Sequence, residues 1–179
     1  MKKGWSLFVL LFFLISCTHN NNKSLQGNYV EPKIKRQIMD IASTYITDKF
    51  KTSDKSVDKG GILNIVNGQI KYVIDPSKIA VGLIDSDSVE DATITIPSYN
   101  GQYIVTTELL VLIKSDNKFK ITKVLEGDMK VIKISDRIIY VEIPKLAPDS
   151  PNYNCAICRE VVKYKYLSLI HISEPTRPY

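Results

Sequence analysis

Ala92-Thr93-Ile94-Thr95-Ile96, followed after Asn100-Gly101 by the long run from Tyr103 to Ile113, is the stretch that decides the fold of this 179-residue chain. Ala92, Ile94 and Ile96 alternate with Thr93 and Thr95, the period of two that marks a strand with one face in a core and the other half exposed. Asn-Gly supplies the positive φ that a tight hairpin turn demands, so the two runs read as antiparallel neighbours. A sheet built outward from this hairpin is the expectation.

Toward the C-terminus the strand pattern continues over Phe119 to Leu125, Met129 to Ile134 and Arg137 to Ile143. The links Ser115-Asp116-Asn117, Gly127-Asp128 and Ser135-Asp136 are short and polar, which suits antiparallel partners, because parallel ones need long crossovers. A last strand, Glu160 to Tyr166, sets Val162, Tyr164 and Tyr166 on one face against Lys163 and Lys165 on the other. Toward the N-terminus lie Ile79 to Ile84 and a hairpin in which Ile62 to Val66 and Gln69 to Ile74 flank Asn67-Gly68, the preferred pair of a type I′ turn. Lys51 to Gly61 is polar, ends in two glycines and reads as a loop.

Before that loop the period changes to 3.6. Ile34, Ile38, Ile41 and Tyr45, extended by Ala42, Ile46 and Phe50, form one apolar stripe, with Pro32 suited to the first turn. The predicted class is therefore α+β: one amphipathic helix packed on a curved antiparallel sheet of about seven or eight strands. The helix is expected to cover the sheet of its own domain.

The two ends of the chain read differently. Met1-Lys2-Lys3, an apolar run from Trp5 to Ile15 and Leu14-Ile15-Ser16-Cys17 resemble the signal peptide and lipobox of bacterial lipoproteins. A run of 11 residues is too short for a spanning helix, which needs about 20. The resemblance implies removal of residues 1–16 and acylation of Cys17, palmitate included, as the membrane anchor. Residues 17–28 then form the lipidated Cys and a flexible tether, whose 11 residues after Cys17 reach about 18 Å. Thr18, where enterobacterial lipoproteins retained at the inner membrane carry Asp, implies an outer membrane location facing the periplasm.

At the other end, Leu167-Ser168-Leu169-Ile170-His171-Ile172-Ser173-Glu174-Pro175-Thr176-Arg177 resembles the translation of a transposase-type sequencing adapter. The alternative is a real terminal strand from Leu167 to Ile172. On the first reading 167–179 is an adapter-derived tail, and the single α+β domain, 29–166, is cut short near Tyr166.

Setting aside residues 1–16 and 167–179 removes three cations, Lys2, Lys3 and Arg177, and one anion, Glu174, so the net charge falls from +5 to +3. The remaining lysines are interspersed with acids and form no same-sign block, which argues against nucleic acid as a partner. Trp5 is the only tryptophan, and His19 and His171 the only histidines, so the domain 29–166 holds none of these. That argues against His-based acid–base catalysis and His-ligated zinc.

Three groups of residues are candidates for chemistry. In Asp85-Ser86-Asp87-Ser88-Val89-Glu90-Asp91, the carboxylates of Asp85, Asp87, Glu90 and Asp91 can converge on Ca²⁺, a hard cation that takes six to eight oxygens. Serines in the spacer slots and the missing turn glycine favour a solvated turn held by side-chain hydrogen bonds to the backbone. Cys155-Ala156-Ile157-Cys158 are, with Cys17 acylated, the only free thiols, and in an exported chain they are expected to form a disulfide. The rival is a thiol redox pair with Arg159 nearby to favour a thiolate. Tyr99, Tyr103, Tyr140, Tyr153, Tyr164 and Tyr166 form a contact platform only if they share an exposed face.

The stretch from Ile79 to Ile96 with the hairpins after it, and Pro151-Asn152-Tyr153-Asn154-Cys155 before a Tyr-rich last strand, are similar to a class of small exported bacterial proteins. That similarity implies a fold and no activity. The expectation is a membrane-anchored cell-envelope lipoprotein with a non-catalytic binding or structural domain, its partner an envelope protein or a small ligand. The alternatives are an envelope thiol-disulfide oxidoreductase using Cys155 and Cys158, and a calcium-binding lipoprotein using the 85–91 loop.

Overall fold

A computed structural model describes residues 30–146, 154–167 and 171–172. The lipobox, the tether, the loop around Pro148 and most of the suspect tail lie outside the described residues. The chain enters one helix, α1 (Pro32–Phe50), and then a series of strands. These are β1 (Lys55–Val57), β2 (Leu63–Asn67), β3 (Ile70–Ile74), β4 (Ile79–Gly82), β5 (Asp91–Asn100) and β6 (Tyr103–Ser115). They continue with β7 (Lys118–Glu126), β8 (Lys130–Ser135), β9 (Ile138–Leu146), β10 (Asn154–Leu167) and the short β11 (His171–Ile172). The α+β class stands, and every strand pairing among the described residues is antiparallel.

The strands do not form a single sheet, and this corrects the expectation. The main sheet has seven strands in the order β1-β2-β3-β5-β6-β7, with β4 paired to the other part of β5. A second sheet runs β8-β9-β10, with β11 paired to the end of β10. The helix covers one face of the main sheet, where Ile38, Ala42 and Ile46 meet Ile65, Ile94 and Leu110. The second sheet covers the opposite face, where Leu109 and Val111 meet Ile134, Ile139 and Val141. Three layers therefore enclose two cores, with β5 and β6 in the middle.

This sandwiching explains why β5 is not half exposed. All of its residues from Asp91 to Ile96 are buried. Ala92, Ile94 and Ile96 face the helix, and the threonines between them are buried as well. Threonine is a strand former that tolerates either environment, so its presence in the alternation concealed the second layer. In β6 the layers are legible in consecutive residues: Leu109 and Val111 serve one core, Leu110 and Leu112 the other.

The turns refine the reading by one residue. Asn67 pairs with Ile70 and Asn100 with Tyr103, so the turn residues are Gly68-Gln69 and Gly101-Gln102. Gly68 and Gly101 have φ of 62° and 61°, whereas the glutamines do not take positive φ. Positive φ at the first central position alone is the type II′ requirement, in place of the expected type I′. Asp116-Asn117 and Asp136-Arg137 do take positive φ at both positions, the type I′ signature. Within the stretch read as loop, β1 adds a short exposed strand to the sheet.

Two packing details matter below. A Cβ on Gly82 would stand 2.8 Å from Ile134 Cγ2, so β4 and β8 approach closely only because residue 82 has no side chain. Among the described residues one edge of the main sheet is β7, which carries exposed Lys118, Lys120 and Lys123, and the other is the short β1. No helix among the described residues is long and apolar enough to cross a membrane.

Candidate binding cleft

The acidic loop is organised around Asp91, which is fully buried at the start of β5. Its Oδ2 accepts from the backbone N–H of Ile84 (3.0 Å) and Asp85 (3.2 Å), and its Oδ1 from Lys114 N–H (2.9 Å). Asp85 Oδ1 in turn accepts from Asp87 N–H, and Asp87 Oδ1 from Val89 N–H. Arg137 Nη2 donates to the carbonyls of Ser86 (3.2 Å) and Asp87 (3.3 Å), which ties the loop to the second sheet. The carboxylates of Asp85, Asp87 and Asp91 lie within 4.8 Å of one another, while Glu90, the fourth residue predicted as a ligand, is exposed and outside that group. Burial, opposed by the hydrogen bond from Asp87 and assisted by the charge of Asp91, raises the Asp85 pKa. Backbone N–H groups thus account for Asp91 and for one oxygen each of Asp85 and Asp87, the arrangement of a turn that holds itself.

The cysteine segment falls on an irregularity of β10. Asn154 pairs with Leu146 and Arg159 with Pro144, so the four residues Cys155 to Cys158 stand opposite Lys145 alone. Such a bulge shortens the span between residues three apart, which a regular strand would hold about 10 Å apart. The side chain of Cys155 lies outside the described residues. Arg159, the next residue, donates to both carboxylate oxygens of Asp128 (3.1 and 3.2 Å), and its Nε is 3.7 Å from Glu142 Oε2. Hydrogen bonding to Asp128, against burial, raises its pKa.

The tyrosines do not share one face. Tyr164 and Tyr166 pack against the second core, and Tyr140 lies between the ammonium groups of Lys133 and Lys163 at 4.8 and 5.8 Å. Tyr153 lies outside the described residues. Tyr99 and Tyr103 belong to the β5–β6 hairpin, and only its tip is strongly apolar and exposed: Tyr103 82%, Ile104 56% and Val105 58%.

Two features escaped the sequence reading. The first is Glu108, buried at 2% exposure inside the apolar run of β6. Its Oε2 accepts from Tyr45 Oη (2.7 Å), and Lys49 Nζ bridges its Oε1 (3.1 Å) to Glu126 (3.0 Å). Burial opposes the Lys49 charge, but hydrogen bonds to Glu126 and Glu108 outweigh it and the pKa is raised. Burial, with Glu108 adding to it, raises the Tyr45 pKa too. A charged residue within an apolar strand is the signal that could have marked this site.

The second is a cleft of about 360 Å³ where the β5–β6 hairpin extends past the second sheet. Pro97, Tyr99 and Ile104 line its main-sheet side, and Asp128, Glu142 and Arg159 line the other. Its position in the molecule follows from two contacts. Gln37 Nε2 donates to Asn117 O at the β6–β7 turn, and Lys49 reaches Glu108, so α1 runs beside the far half of β6. The hairpin tip is six residues beyond Glu108, roughly 20 Å further along the strand. The chain enters α1 from the opposite end. Comparison with known protein families, curated proteins and solved structures returns no match.

Proposed function

We propose that this chain is a lipid-anchored envelope lipoprotein, held by Cys17 on the periplasmic face of an outer membrane, whose folded part is a non-catalytic binding domain. The observation that carries the binding reading is the apolar hairpin tip beside an open cleft, at the pole remote from the helix start where the tether joins. A short tether keeps the near pole at the bilayer and leaves the far pole facing outward. Cys155 and Cys158 form a cystine on this reading, supported by the disulfide-bonded state of Cys158. The thiol oxidoreductase is the weaker alternative, because the Cys155–Cys158 bulge belongs to a strand, and because Arg159 is bound to Asp128 and Glu142 rather than free to favour a thiolate.

Two experiments test the reading. Mass spectrometry of the mature N-terminus should find acylated Cys17, and Cys17→Ser should release the chain from the membrane; an unmodified N-terminus overturns the anchor. A photo-crosslinking residue at position 104 in cells should give a discrete adduct that the same residue at the exposed Val57 does not. Identical behaviour at the two positions would refute binding at this pole.

A further inference from the structure

Below the cleft, a second hollow of about 280 Å³ opens between β4 and β8, and the two share Lys78, Thr95 and Lys130. They form one groove with a polar junction and an apolar arm. Two observations at the junction point to an anion. Among the described residues Lys78 and Lys130 make no ion pair, while the neighbouring carboxylates Asp128 and Glu142 both lie on Arg159. The groove lining therefore carries three cations and two carboxylates, both of the latter beside Arg159. Thr95 is only 5% exposed, lines both hollows and has no hydrogen-bond partner for its hydroxyl among the described residues. Thr93, on the same face of β5 but outside both hollows, has a buried hydroxyl without a partner, whereas the Thr95 hydroxyl reaches solvent. A hydroxyl that reaches solvent in a groove beside two unpaired ammonium groups can donate to an anion that enters, in a charge-assisted hydrogen bond.

We propose that this junction binds the head of a small amphiphilic anion, a carboxylate or a phosphate monoester. Lys78 and Lys130 flank the head and Thr95 Oγ1 donates to it. The apolar body lies along Pro97, Tyr99 and Ile104 toward the hairpin tip, where base-free aromatic and aliphatic contact is offered. The inference rests on the binding reading above and supplies its ligand class.

The test is a calorimetric titration of the full chain in detergent with phenylacetate, phenyl phosphate and the neutral phenylacetamide. Both anions, or one of them, should bind at least about tenfold more tightly than the amide. The better anion identifies the head group. Lys78→Gln with Lys130→Gln should remove that preference while leaving amide binding and the melting temperature unchanged, since both lysines are exposed. Thr95→Ser, which keeps the hydroxyl, should retain the preference, and Thr95→Val should weaken it. Equal binding of amide and anions, wild-type anion affinity in the double lysine variant, or no anion binding at about 10 mM overturns the inference. A discrete adduct from position 104 would in each of those cases leave the binding reading standing, and its absence would remove both.

Discussion

Lys49 reconciles two carboxylates that the β6–β7 register sets directly opposite each other, Glu108 and Glu126. Like charges across a strand pair repel, and Glu108 is buried, so removing the bridging cation leaves a charge without compensation. Lys49→Met should cost about 2 kcal/mol in urea unfolding, below the usual figure for a buried pair because the lysine side chain is one-third exposed. Adding Glu108→Gln should recover part of that loss. Gly82 is sensitive for a steric reason: Gly82→Ala should cost about 1–3 kcal/mol, because the new methyl meets the branched carbon of Ile134. Ile134→Ala should relieve only part of that cost, because it removes Cγ2 but leaves the residue 134 Cβ, which stands at 2.9 Å from the same point. Neither role was read from the sequence. Glu108 lies in a run whose apolar neighbours suggested only a strand, and Gly82 gives no local sign that another layer rests on it.

At the level of the element, the 85–91 loop and the cysteine bulge each have a distinct expected response. Asp91→Ala should cost about 3 kcal/mol, since three backbone N–H groups lose their acceptor in a buried position. With those acceptors already occupied, the melting midpoint should be the same in Ca²⁺ as in chelator; an upward shift with Ca²⁺ would show that the carboxylates bind it. Reduction of a Cys155–Cys158 cystine should lower stability by at most about 2 kcal/mol, because the closed loop is short. Alkylation before and after reduction reads the same bond by mass. The helix and the central hairpin were readable because amphipathic period and Asn-Gly are local signals. The turn position was one residue off because Asn tolerates either the last strand position or the first turn position, and only pairing with the next strand chooses between them.

Considered as a whole, the molecule responds to alkali through groups that favour their protonated forms. Burial raises the phenols of Tyr45, Tyr72 and Tyr164, and Lys49 is also raised. In each case the folded state binds the proton more tightly than the unfolded chain. Their contribution is therefore complete below about pH 10 and falls as the pH rises through the folded values. The melting temperature should drop steeply above that pH, with a shallower drop in Tyr45→Phe. The division into two sheets could not be read from the strand pattern, because a strand covered on both faces and one covered on a single face differ by threonines that suit either. The β7 edge of the main sheet has a collective consequence. If copies share one membrane plane, they meet side by side far more often than in free solution, and an open strand would let them zip into ribbons. Two β7 edges approaching each other bring six ammonium groups together, so the lysines act as fenders that let a crowded monolayer remain a population of individuals.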